Sequence, residues 1–184
     1  FTDFTRVLGP DHPHTLSSRG TLAGIYRDAG RLDEAIPLFE QNLDDRTRIL
    51  GPHHPHTLIS RNNLAVAYQE AGRLDEAIPL FEQNLEDRTR TLGPAHPVAL
   101  TSRNNLAGAY REAGRLDEAI RLFGQNLEDS IRILGPDHPS TLTSRLNLAG
   151  AYRDAGRLDE AIALYEQTLE DSTRILGPHH PDTL

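Results

Sequence analysis

The sequence contains no cysteine, no methionine and no tryptophan, and all 19 of its basic residues are arginine. Without cysteine there are no disulfides, no thiolate nucleophile and no cysteine-ligated metal. The missing methionine predicts that these 184 residues are a piece of something longer. Arginine in place of lysine favours GC-rich codons and so predicts a GC-rich, bacterial genome. Aromatic residues are 5% of the chain, which leaves little to stack on nucleic-acid bases. The 27 acidic residues give a formal net charge of −8, whereas a phosphate-binding surface needs a basic excess. No apolar run approaches the roughly 20 residues of a membrane-spanning helix. No signal-peptide pattern opens the chain, and a cytoplasmic location is the expectation.

What is present is a repeat. Leu-Gly-Pro occurs at Leu8-Gly9-Pro10 and again with its glycine at Gly51, Gly93, Gly135 and Gly177, every 42 residues. Four full units span 9–50, 51–92, 93–134 and 135–176, with partial units at 1–8 and 177–184, so both ends are read as cut within a repeat and the whole as one domain. Hydrophobic residues make up 37%, a share that suits a thin two-layer stack of amphipathic helices better than a thick core.

Within the second unit, Leu58, Leu64, Ala65 and Tyr68 fall at helical spacing and define the apolar stripe of a first helix. Gly72 stands where a left-handed C-cap residue is needed. Asp75-Glu76 opens a second helix, placing negative charge near its positive end. Ala77, Ile78, Phe81, Leu85 and Leu92 continue an apolar face until Gly93-Pro94 stops it. Pro97 suits the first turn of the next first helix. Pro37 and Pro79 are expected in the first turns of their second helices, at the cost of at most one early hydrogen bond.

Chemistry-bearing residues offer no catalytic arrangement. His53-His54-Pro55-His56 resembles a metal tract, but one His-Pro recurs at His12, His54, His96, His138 and His180. A position repeated in every unit points to loop packing or helix initiation, and tetrahedral zinc needs several converging ligands. The acid pairs Asp44-Asp45 and Glu86-Asp87 are expected to face solvent. No phosphate-cradling glycine loop is present, because Gly-Pro is turn chemistry. The expectation is a non-enzyme with no cofactor and no metal.

Leu-Ala-x-x-Tyr, a glycine, then Ala-x-x-x-Phe appears at Leu22 to Phe39, Leu64 to Phe81 and Leu106 to Phe123, and at Leu148 to Tyr165 with tyrosine last. This pattern resembles the tetratricopeptide repeat, and the longer period with Leu-Gly-Pro-x-His-Pro is similar to the kinesin light chain variety. The resemblance covers the whole chain. It implies an all-α fold, a right-handed superhelical solenoid of stacked antiparallel helix pairs, and similar arrays occur in bacteria attached to signalling ATPases. Two departures stand out. The signature tryptophan is replaced by Arg19, Arg61, Arg103 and Arg145, whose stems are expected to cover apolar surface. The signature alanine late in the second helix is Asn42, Asn84, Asn126 and Thr168.

Members of this family bind an extended or short helical peptide in a concave groove lined by first helices. The groove positions carry over to Arg27 in the first unit, to Asn62 and Gln69 in the second, to Asn104 and Arg111 in the third, and to Arg153 in the fourth. The asparagines can both donate to and accept from a peptide backbone. Gly24, Gly108 and Gly150 leave room for close approach. The arginines can grip carboxylates, which implies a protein or peptide partner with acidic character, and neither nucleic acid nor membrane. Two alternatives stay open. Asp28, Glu70, Glu112 and Asp154 can neutralise these arginines, and the asparagines can bond between neighbouring first helices. A further expectation is homo-oligomerisation by end-to-end stacking, through apolar ends that include Phe1, Phe4 and Val7.

Overall fold

The computed structural model describes residues 6–176, so Phe1 and Phe4, His179 and His180 lie outside the described residues. Among the described residues the chain is helical throughout, with no strand. Residues 6–8 are helical, and complete helices follow: α1 (Pro13–Asp28), α2 (Leu32–Leu50), α3 (Pro55–Glu70), α4 (Leu74–Leu92), α5 (Pro97–Glu112), α6 (Leu116–Leu134), α7 (Pro139–Asp154) and α8 (Leu158–Leu176). The first helix of each repeat has 16 residues and the second has 19. Contacts divide the chain within α4 into two units, Phe1–Arg88 and Thr89–Leu184. In unit 1, α2 lies against α1 and α3. In unit 2, α6 lies against α5 and α7, and α7 against α8. Each unit is thus a stack of adjacent helix pairs.

The recurring His-Pro is the start signal of the first helices. His12, His54, His96 and His138 are N-caps in extended conformation, and each ring Nδ1 accepts the backbone N–H two residues on, at 3.1–3.2 Å. The proline that follows occupies the first helical position, where its missing N–H leaves nothing unsatisfied. Thr15, Thr57 and Thr141 complete the start by donating their hydroxyls to the carbonyls of Gly9, Gly51 and Gly135, each at 2.8 Å.

The turn between the helices of a pair is set by one glycine. Gly72 has φ +72°, the Arg73 N–H reaches back to the Tyr68 carbonyl at 2.8 Å, and the Gly72 N–H to that of Gln69 at 2.9 Å. This is a Schellman C-cap, which a side chain at Gly72 would strain. Pro37 and Pro79 lie deeper than expected. With α2 starting at Leu32 and α4 at Leu74, each proline sits inside the helix beyond its first turn, and each helix nevertheless continues to its end.

The apolar stripe of the second repeat is buried at Leu58, Leu64, Ala65, Tyr68, Ala77, Ile78 and Phe81. Burial of each large side chain contributes roughly 1.5–3 kcal/mol before ordering costs. Leu85 is only half-buried, and Leu92 is exposed rather than part of the apolar face. Leu92 is the last residue of α4, where the helix runs out. In unit 2 the corresponding core comprises Leu106, Ala107, Tyr110, Ala119, Phe123 and Leu148.

Candidate functional site

The residues that replace the signature tryptophan do more than line the surface with their stems, because their guanidinium groups are drawn into the protein. They are buried and ion-paired across the helix pair: Arg19 Nη1 to Asp45 Oδ2 at 2.5 Å, and Arg61 to Asp87, Arg103 to Asp129 and Arg145 to Asp171 at 2.7 Å each. Arg61 and Arg103 also donate to the carbonyls of Pro52 and Pro94 at 3.1 Å, tying the first helix to the loop before it. The acid pairs are corrected with them. Asp44 and Glu86 face solvent, whereas Asp87 is buried and Asp45 nearly so. Burial alone would raise the Asp87 carboxyl, but hydrogen bonds from Arg61 and His53 outweigh it and hold the group below its ordinary value.

A second set of contacts was not anticipated from the sequence. The arginine after each turn glycine lies over the signature tyrosine: Arg31 on Tyr26, Arg73 on Tyr68, Arg115 on Tyr110 and Arg157 on Tyr152, at 4.1–4.5 Å from the ring centres. Tyr68 also donates its hydroxyl to Glu40 at 2.5 Å. Burial, with that carboxylate beside it, pushes the phenol up to about 12.

With these side chains committed to packing, the first-helix faces carry the expected site residues. On unit 1, Arg27 of α1 donates to its neighbour Asp28 at 2.8 Å and lies 3.8 Å from Glu70 of α3. Asn62 and Gln69 are half-buried on α3, and Ile59 is 44% exposed beside them in sequence. Gly24 has open space where a Cβ would be.

On unit 2, Asn104 of α5 accepts from Asn147 Nδ2 of α7 at 2.7 Å. Arg111 of α5 approaches Asp154 of α7 at 3.5 Å, and Arg153 donates to the same carboxylate at 2.9 Å. Asp154 therefore joins two of the expected arginines, and its hydrogen bond holds the Arg153 guanidinium above its ordinary value. A Cβ on Gly150 would meet Arg111 Nη1 at 3.2 Å, so the room left by this glycine is occupied by Arg111. Near the start of α5 a hollow of about 270 Å³ opens between α5, α6 and α7, with Asn104, Asn126, Ser130 and Ser144 in its wall.

Among the described residues no group of three histidine, aspartate or glutamate side chains is placed to hold a metal ion. Among them, too, no helix is long and apolar enough to cross a membrane.

Comparison with known proteins agrees with this architecture. No curated protein matches the chain. A point variant of the nearly identical TPR-like repeats of a protein described as a kinesin light chain, from Podosopora anserina, superposes with a TM-score of 0.89 at 34% identity, covering 95% of this chain and 82% of that one. The same repeats without that substitution give a TM-score of 0.86 at 35% identity, over 94% and 82% of the two chains. BtubC (BKLC) from P. vanneervenii shares the fold, with a TM-score of 0.79 at 21% identity over 91% of this chain and 66% of that one. The tetratricopeptide repeat family model matches at residues 2–44, 19–86, 62–128, 98–171 and 144–184, and the chain belongs to the tetratricopeptide repeat family.

Proposed function

We propose that the chain is a protein-interaction scaffold whose first-helix faces receive a segment of a partner protein. The tetratricopeptide repeat is in general an interaction module. The observation that carries the reading is the polar row on α5 and α7, where Asn104, Arg111 and Arg153 sit at the surface with Asp154 between the two arginines. Amide groups of this kind can bond a backbone, and guanidinium groups a carboxylate, with geometric selectivity. An acidic side chain on the partner would replace Asp154 as the partner of Arg111 and Arg153. In unit 1 it would compete with Asp28 and Glu70 for Arg27, beside Asn62 and Gln69. Asp45 and Asp87, the second acids of these pairs, are held in structural ion pairs, which supports a non-enzymatic role.

A four-substitution variant tests the reading: Asn62→Ala, Asn104→Ala, Arg111→Glu and Arg153→Glu. Both proteins are used to capture partners from the source cell, with circular dichroism to establish equal helicity. Partners retained by the wild type and lost by the variant are expected. Equal capture by both would reject the first-helix faces as the binding surface.

A second reading, end-to-end association, is favoured by α8, where Leu158, Ile162 and Leu169 are all more than half exposed. The equivalents of Ile162 at Ile36 and Ile78 are buried. A mass that rises with concentration in sedimentation is its signature, and a constant monomer mass rejects it.

A further inference from the structure

Arg46, near the end of α2, is a buried cation without a counter-charge. The residue is 9% exposed, and its Nη1 donates to the His56 carbonyl at 3.1 Å and to Ser60 Oγ at 3.0 Å. Among the described residues no carboxylate pairs with it, and its Nε and Nη2 donate to nothing. The arginines around it are matched. Arg48 is held by both oxygens of Asp11, at 2.6 and 3.1 Å, and Arg19 pairs with Asp45 at 2.5 Å. Asp11 raises the Arg48 guanidinium above its ordinary value, whereas burial, with nothing to offset it, holds that of Arg46 below. A charge taken out of water is costly unless it is paired, so Arg46 calls for an anion.

The space for one lies beside it. A hollow of about 370 Å³ opens between α1, α2 and the start of α3, with Arg46 in its wall. At roughly 30 Å³ per water it has room for several, and so for an acidic side chain. Leu16 and Ile49 supply apolar wall against which the methylenes of that side chain can lie. His54 stands in the same wall. Its Nδ1 accepts the His56 N–H, so the neutral ring carries its proton on Nε2 and adds a donor. Asp11, the acid in the wall, is taken up by Arg48. The net charge of −8 opposes an acidic guest at long range, but salt screens it beyond about 8 Å, and locally Arg46 is the cation left over. Exposed Ser17 of α1 borders the hollow, seven residues and two helical turns before Gly24, so the hollow opens onto the first-helix face of unit 1.

We infer that the Arg46 hollow is a subsite for an aspartate or glutamate side chain of the bound partner, whose carboxylate pairs with the Nε–Nη2 edge of the guanidinium. The inference rests on the proposed first-helix binding face and names one side chain of the segment that binds there. That edge presents two parallel N–H donors, the fork that matches a carboxylate. The place of Arg46 is taken by Arg88 in the second repeat and by Ser130 and Ser172 in the third and fourth. The hollow walled by Ser130 therefore lacks the cation and serves as a control within the same chain.

The test is a resonance titration of the 184-residue chain with N-acetyl-glutamate amide, beside N-acetyl-glutamine amide, which has nearly the same shape without the charge. Saturable shifts at the Arg46 Nε–H and the Ser17 and His56 amides are expected with glutamate, and none at Ser130 or Ser144. Glutamine should bind more weakly on the order of tenfold, the difference between charged and neutral hydrogen bonding. Arg46→Ser, which copies the residue of the third repeat, should abolish the shifts. Ser17→Glu, a surface change that leaves the core intact, should weaken binding several-fold by repulsion. Absence of shifts around Arg46, equal shifts with glutamine, or equal shifts at Ser130 overturns the subsite. N-acetyl-alanine, whose carboxylate is terminal, binding more tightly than the glutamate amide would assign the hollow to a chain end and overturn the side-chain assignment. A captured partner that Arg46→Ser still holds as tightly as the wild type also overturns the subsite, and leaves the first-helix reading standing. If the wild type captures no partner, that reading fails, and the titration still decides whether the hollow takes a carboxylate.

Discussion

Arg61 and Asp87 hold each other at 2.7 Å with only 4% and 6% of their side chains exposed. The pair joins α3 to α4 across 26 residues of sequence, and equivalent pairs recur in the other repeats. Two charges out of water are tolerated because each satisfies the other, with the Pro52 carbonyl taking a further guanidinium N–H.

Arg61→Ala should therefore destabilise the protein by about 3–5 kcal/mol, since it strands the Asp87 carboxylate in the core. The double substitution Arg61→Met with Asp87→Leu should recover much of that loss. Urea denaturation followed by circular dichroism measures both. A loss under about 1 kcal/mol for the single substitution would mean that the pair is hydrated like an exposed one.

The same aspartates set the acid limit. At Asp45, Asp87 and Asp129 burial pushes the carboxyl up, but arginine hydrogen bonds prevail and hold each below its usual value. At Asp171 the hydrogen bond from Arg145 is the leading cause of the same lowering. A folded-state pKa below the unfolded one gives stability that is complete above the unfolded value of about 4 and is lost as pH falls through the folded values. The urea midpoint should accordingly hold steady from about pH 7 to 5 and drop below about pH 4. Removing Arg61 and Asp87 together should flatten that drop. An acid slope unchanged by this removal would assign the transition to other groups.

Two glycines should respond in opposite directions. Gly72 adopts φ +72°, so Gly72→Ala should cost roughly 1–2 kcal/mol. Gly124 lies inside α6 with open space where a Cβ would stand, so Gly124→Ala should add roughly 0.5–1 kcal/mol through helix propensity. Thermal melts of both variants give the comparison, and equal signs would contradict the assigned backbone roles.

The histidine caps make a separate prediction. His54 Nδ1 accepts the His56 N–H at 3.2 Å, so His54→Ala should cost roughly 0.5–2 kcal/mol while His54→Ser, which can also cap, should cost less. Equal losses in the two melts would show that the ring packs rather than caps.

Most of the helix pattern was legible because the 42-residue period repeats each signal in every unit. The turn glycines, the helix-starting prolines and the apolar stripe around Leu64 and Tyr68 are local features, and local physics places them. Partners 26 residues apart are not local, since they meet only when a first helix docks on a second. One signal did exist. The first acid varies among Asp44, Glu86, Glu128 and Glu170, whereas the second is aspartate at Asp45, Asp87, Asp129 and Asp171, as a fixed short reach requires. The arginine over each tyrosine was hidden because the two lie on opposite sides of the turn. Leu92 was misjudged because periodicity does not say where the covering helix ends. On the first-helix faces, the two alternatives visible in the sequence, arginine with neighbouring acid and asparagine across helices, are the contacts made by Arg27, Arg111, Arg153 and Asn104.

The central claim is that partners bind on the first-helix faces, and site-directed photo-crosslinking tests it most directly. A benzophenone side chain is placed at position 104 on α5 in one protein and at position 128, exposed on α6, in another. Both are irradiated with a captured partner. The account predicts a crosslinked partner peptide from position 104 and none from position 128. Crosslinking from position 128 with none from position 104 would place the partner on the second helices and contradict it.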